Sequence, residues 1–220
     1  MAKTDATAKP TGREVKSRVQ RAKRWAQWAS EHYQDFAALE QEWPNLANGF
    51  AQVVASDTRD DQSIITYTVS LMNWFMARRD WETALVWLNE AVQACQALGD
   101  DEMLAAMYNR GGLVHCLRGA HSEGFNWYAR ALPLIEKLGD RAALATVEGN
   151  LGLLAVALGD RTAQQHLNRA AMLNMQLGNR SSDAQFIEHA LVILLTQGWD
   201  AAARLAAMRL RAIADEAGGR

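Results

Sequence analysis

An all-α protein of about ten helices, stacked as antiparallel pairs, is the fold class this sequence predicts. Three observations carry the prediction: composition, a repeat of about forty residues, and regularly placed helix stops. Only three prolines occur in 220 residues, alanine and leucine are abundant, and no long run alternates apolar with polar residues. Alanine and leucine favour helices, and a half-buried strand needs the alternation that is missing. The repeat shows as four combs in one register. Leu98, Leu138 and Leu177, each followed by Gly-Asp or Gly-Asn, fall at steps of 40 and 39 residues. Gly119, Gly159 and Gly198 repeat those steps. Ala91, Ala131 and Ala171 make a third comb, and Gly112 with Gly152 a fourth. A period of this length marks a stacked-repeat architecture in which each unit buries its apolar face on its neighbours.

Taken in order, residues 1–12 are small, polar and aperiodic, and read as a disordered tail. Residues 13–60 form an N-terminal helical cap. One long helix is expected from Arg13 to Gln41, with Val15, Val19, Ala22, Ala26, Ala29 and Tyr33 on one face. Pro44 suits the first turn of a second helix, ending near Ala55. Four helix pairs follow, over 61–99, 100–139, 140–178 and 179–220. Their first helices are expected at Ser63–Arg78, Glu102–Arg118, Ala142–Leu158 and Ser182–Gln197. The second helices are expected at Glu82–Ala97, Ser122–Leu138, Thr162–Leu177 and Ala201–Ala217. Gly99, Gly139 and Gly178 stand where a helix C-terminus wants a left-handed residue, and Gly119, Gly159 and Gly198 do the same at the inner turns. Asp80, Asp140, Asp160 and Asp200 are N-caps of the helices that follow, with Asp100 or Asp101 capping the first helix of the second pair. Gly152 falls inside an otherwise good helix. Either it lets that helix approach its partner closely or it marks a kink, and Gly112 one period earlier favours close approach.

These residues resemble the tetratricopeptide repeat (TPR). The unit of that family has a small residue midway along its first helix, a glycine seven residues on, then a small, a large and an alanine position along the second. Gly112, Gly119, Gly124, Tyr128 and Ala131 fit well. Gly152, Gly159 and Ala171 fit while Gln164 and Asn168 depart; Ala84, Leu88 and Ala91 fit, with Met72 and Arg79 in place of glycines. The last unit is degenerate, as terminal repeats are. The resemblance implies a right-handed α-solenoid whose first helices line a concave binding face.

A second resemblance begins at Leu39. Leu39, Glu42, Asn45 and Leu46, followed by a helix, Trp74 and the segment Trp81–Val92, look like the start of the TPR sensor region in bacterial NB-ARC and MalT-like STAND regulators. It implies a small-molecule inducer or a partner, and an upstream nucleotide-binding domain. No G-x-x-x-x-G-K-[ST] loop occurs in this chain, so the resemblance extends to a sensor region without its ATPase.

Composition excludes little else. The chain is 49% hydrophobic and 22% charged with a formal charge of −2, which argues against a nucleic-acid partner. Its start lacks the apolar core of a secretory signal, and no stretch of 18 residues lacks charge or several polar groups. A cytoplasmic protein with no membrane partner is expected. The two cysteines, Cys95 and Cys116, lie in apolar helical segments and read as buried hydrophobes. No two histidines have metal-ligand spacing, and His115 and Cys116 are adjacent, hence about 100° apart on a helix. No metal, cofactor or enzyme activity is expected. The basic run Lys9, Arg13, Lys16, Arg18, Arg21, Lys23 and Arg24 reads as a solvated face or as a phosphate-binding helix, with the solvated face preferred. Trp81, Trp87, Trp127 and Trp199 read as packing between repeats, in preference to ligand contacts, and Trp25, Trp28 and Trp43 as sealing the N-terminal end.

Fitted to the TPR pattern, the concave face carries Asn73, Asn109, Arg110, Leu113, Asn150, Leu153, Gln185, Glu188 and His189. An amide side chain both donates and accepts, so it can read a peptide backbone as an added strand does. Asn150 resembles the groove asparagine of kinesin light chain repeats; the alternative is a bond to a neighbouring helix. The lysine pairs that clamp C-terminal carboxylates of chaperones are missing. The expected function is therefore a non-catalytic scaffold binding a protein or peptide on this face. The alternatives are the inducer sensor and self-association as a homo-oligomer.

Overall fold

The computed structural model describes residues 12–55 and 57–177. The tail at 1–11, the fourth helix pair at 179–220 with Gly198, and the face residues Gln185, Glu188 and His189 lie outside the described residues. Every regular element among the described residues is an α-helix. The chain divides into two compact units, Met1–Asp100 and Asp101–Arg220.

The first unit holds α1 (Gly12–Glu31), α2 (Phe36–Gln41), α3 (Trp43–Val54), α4 (Asp61–Arg78) and α5 (Trp81–Leu98). The single helix expected over 13–41 is broken after Glu31. The His32 ring lies 2.8 Å from the Trp28 carbonyl, and the Asp35 carboxylate accepts from the Ala38 amide and starts α2. A competent N-cap in mid-segment offers the backbone an alternative to continuing the helix. Tyr33, expected on the buried stripe, falls in this break and is exposed, while Ala22, Ala26 and Ala29 are buried as α1 packs on α3 and α4. Glu42 ends α2 and begins α3, and Pro44 occupies the first turn of α3, where its missing N–H costs nothing.

The core of this unit is aromatic. The Phe50 and Trp87 rings stack 3.7 Å apart, with Tyr67, Phe75 and Trp43 packed around them. Tyr67 is fully buried, and its hydroxyl donates to the Ala22 carbonyl at 2.7 Å, satisfying the polar end of a buried ring. Three tryptophans thus enter one cluster, since Trp74 also lies 5.1 Å from Trp43.

The second unit holds α6 (Asp101–Leu117), α7 (His121–Leu138), α8 (Arg141–Leu158) and α9 (Ala163–Leu177), each packed on the next. A Cβ on Gly152 would stand 2.5 Å from Leu167 Cδ2 and 3.1 Å from the Leu167 amide nitrogen, so α8 meets α9 at the glycine. Gly112 abuts the Tyr128 ring in the same way between α6 and α7. Asp140 accepts from the amides of Ala142 and Ala143 at the start of α8, and Asp160 from Thr162 before α9. The inner turns of this unit close on Gly119 and Gly159 at φ of 82° and 69°. In the first unit the same position is Arg79, at φ 56°, where an L-residue costs about 1–2 kcal/mol.

The structure corrects the register of α9. Ala170 is fully buried, whereas Ala171 is exposed. Counted back from Leu177, Ala170 is the match to Ala131 and Ala91, so the third comb takes the same shortened step as the others. In this register Ala163 and Leu167 replace the misfitting Gln164 and Asn168. The missing residue lies just after the inner turn: Gly124 stands five residues after Gly119, but its match Ala163 only four after Gly159.

Helix α8 is long and apolar enough to cross a membrane by length and composition, with mean hydropathy 1.3. Its faces are taken by α7 and α9, and it carries a buried glutamate described below, as a core helix of a repeat would.

Candidate functional site

The residues expected on the concave face lie on first helices. Asn73 is exposed on α4 in the first unit. Asn109, Arg110 and Leu113 lie on α6, and Asn150 and Leu153 on α8, in the second. Asn109 and Leu113 are one helical turn apart, so they share a face. Leu113 is 40% exposed, and the other four are half-buried.

Two of these side chains, Asn109 and Arg110, are polar and partly buried. Asn109 Oδ1 is out of contact with solvent and accepts no hydrogen bond among the described residues. Burial pulls the Arg110 guanidinium below the ordinary arginine range, and no carboxylate among the described residues compensates it. Native proteins rarely leave such groups without a partner. Asn150 makes no side-chain hydrogen bond to a neighbouring helix among the described residues. On both α6 and α8 the amide is therefore not spent on holding the repeat together.

Among the described residues, no group of three or more His, Cys, Asp or Glu side chains is placed to hold a metal ion. Burial pushes both thiols up, Cys95 and Cys116 each to about 11, so neither is a ready thiolate.

A feature the sequence reading missed is a buried carboxylate. Glu148 on α8 is 1% exposed. Its Oε2 lies 2.7 Å from His166 Nδ1 on α9. Its Oε1 lies 2.7 Å from an Arg169 guanidinium nitrogen, an ion pair too oblique to count as a hydrogen bond. Arg169 also donates to Glu136 on α7 at 2.5 Å, which raises its pKa further and ties three helices together. One period earlier the same two places hold Tyr108 and Trp127, ring edge to ring face at 5.7 Å. Gly111, on which the Trp127 ring rests, becomes Leu151 where the smaller imidazole stands. An aromatic pair in one repeat thus corresponds to a carboxylate–imidazole pair in the next, with compensation in volume. The signal was in the sequence as a paired change at two repeat positions, but the slipped register of α9 hid it.

No family model matches the chain, and no curated protein is similar to it in sequence. Solved structures are similar. BtubC (BKLC) from P. vanneervenii superposes with a TM-score of 0.63 at 17% identity, over 96% of this chain and 94% of that one. A kinesin light chain-like protein of Podosopora anserina, with nearly identical TPR-like repeats, gives 0.63 at 14% identity over 90% and 97%. The fold is that of TPR-like repeat proteins. Aspartyl phosphate phosphatase F from Bacillus subtilis gives 0.57 at 11% identity; this chain spans 56% of its length. At such identities the likeness concerns the path of the backbone and not the side chains of any site.

Proposed function

We propose that this TPR-like chain is a non-catalytic scaffold whose second unit binds an extended, acidic peptide segment through α6 and α8. The observation that carries the reading is Asn109 Oδ1, buried and without a hydrogen-bond partner among the described residues, next to an Arg110 guanidinium that burial has destabilised. Asn109 is only half-buried, so a turn of its side chain brings Oδ1 to a peptide backbone N–H, and a carboxylate side chain supplies what Arg110 lacks. Asn150 adds a second two-way amide, and Leu113 and Leu153 add apolar contact. The kinesin light chain-like neighbour supports a scaffold of this architecture, though not the ligand.

The four residues behind the sensor-region resemblance have a local role. Leu39 and Leu46 are fully buried, and Asn45 donates to Glu42 at 2.7 Å across the corner between α2 and α3. They build the cap of the first unit whether or not a nucleotide-binding domain precedes it.

The test is selection from a displayed library of random unstructured peptides, followed by titration. Acidic sequences should be enriched. Replacing Asn109 and Asn150 together by alanine should weaken the selected peptides 10-fold or more, about 1.4 kcal/mol, with the thermal melt nearly unchanged. Enrichment without acidic bias, or equal affinity in the double variant, refutes the assignment.

A further inference from the structure

Helices α1 and α3 of the first unit enclose a pocket of about 330 Å³, lined by Arg18, Arg21 and Trp25 from α1 and by Asn45, Asn48 and Gln52 from α3. That volume is at the lower end of small-molecule sites. Both sets of residues follow helical spacing, so each helix turns a continuous polar edge to the same space. Neither guanidinium forms an ion pair among the described residues. Asp60 is paired with Lys23, and Glu42 accepts from the Asn45 amide. Two positive charges without an ion-pair partner among the described residues therefore face one pocket, and the rest of the basic run on α1 raises the local potential further.

The floor is rigid. Gly49 and Ala22 line it. The fully buried Tyr67 bonds the Ala22 carbonyl, and its hydroxyl fills the space a side chain at Gly49 would need. The separation of α1 and α3 is thus set from below by a buried ring, and a ligand meets a surface already formed.

We infer that this pocket binds a small organic anion, a phosphate or carboxylate group joined to a flat ring. The two guanidiniums supply paired donors of the geometry that such oxygens accept. Trp25 supplies an aromatic wall for the ring. Asn48 and Gln52 donate and accept along the ring edge, and Asn45, whose amide nitrogen is spent on Glu42, retains its oxygen as an acceptor. The site lies wholly within the first unit and is independent of the peptide reading of the second.

Calorimetric titration of the whole chain tests it. The probes are the four ribonucleoside monophosphates, pyridine-2,3-dicarboxylate, inorganic phosphate and adenosine. At least one ring-bearing anion should bind with Kd of about 100 µM or tighter, and about 10-fold tighter than phosphate or adenosine alone. Whether a nucleotide or the dicarboxylate prevails tells the phosphate source from the carboxylate source. Arg18→Gln with Arg21→Gln, and separately Asn48→Ala, should each weaken the tightest probe about 10-fold. All three side chains are exposed, so both variants should melt as the parent does. Asn109→Ala with Asn150→Ala should leave this titration unchanged, which separates it from the peptide site. Absence of any binding below about 5 mM, phosphate binding as tightly as the ring-bearing anions, or full affinity in both pocket variants would overturn the assignment.

Discussion

Replacing Gly152 by alanine sets two effects of opposite sign against each other. Alanine favours a helix interior over glycine by about 0.5–1 kcal/mol. On an open helix face the variant would therefore be stabilised. Here the new Cβ lies 2.5 and 2.8 Å from two side-chain carbons of Leu167 and 3.1 Å from its backbone nitrogen, all inside the 3.4 Å at which ordinary contact begins. The Leu167 side chain can rotate, but the backbone nitrogen moves only if α9 moves. Overpacking of this kind costs about 1–3 kcal/mol, so the contact wins and the variant should lose about 1 kcal/mol. For a chain of this length that is about 2–4 °C in Tm. Gly152→Leu should lose more, because its further carbons meet the same helix. Gln165→Leu on the exposed face of α9 is the control, expected within about 0.5 kcal/mol. The assay is thermal and urea denaturation followed by far-UV circular dichroism. A Gly152→Ala protein that melts at or above the parent temperature refutes the close-approach argument.

Arg79→Gly should stabilise by about 0.5 kcal/mol: relief of the left-handed strain at φ 56° exceeds the entropy glycine adds to the unfolded chain, and an unchanged or lowered urea midpoint would contradict this. Burial pushes the Asp60 carboxyl up, but hydrogen bonds from Lys23 and the Ser63 amide outweigh it and hold the group below the ordinary carboxylate range. A depressed pKa contributes stability above the unfolded value that is lost as pH falls through the folded one. Asp60→Asn should thus trail the parent by about 1 kcal/mol at pH 7, with the gap closing below about pH 4, where the unfolded carboxylate titrates; a gap that persists in acid would show a role other than charge. Glu148→Leu should cost about 1–3 kcal/mol by leaving the half-buried His166 ring without its partner, while Arg169 keeps Glu136. Adding His166→Leu should cost less than the separate effects combined, and strict additivity in a urea double-mutant cycle would mean the pair is not coupled.

Whatever is set by neighbours along the chain was legible in the sequence. The helix pairs up to Leu177 were legible because a glycine in the left-handed region and an aspartate three residues before a free amide act locally, at Gly119, Gly139, Asp140 and Gly159. The position of Gly152 was legible because a period repeats it at Gly112. Contacts between helices were not legible, because they depend on register and on residues far apart in sequence. One residue missing from the turn after Gly159 moved the buried alanine from 171 to 170 and aligned His166 with Trp127, and only burial revealed it. The break at His32–Asp35 came from a cap inside an amphipathic run, where the apolar spacing of α1 had pointed to continuity. Glu148 reads as an ordinary surface acid until Arg169 and His166 are brought to it from the next helix. Arg18 and Arg21 read as a solvated basic face, and Trp25 as a seal of the N-terminal end, until α3 sets Asn45, Asn48 and Gln52 opposite them. Local propensity and capping act within a few residues of chain, whereas a site is a coincidence in space, and packing alone decides which polar edges come to share one.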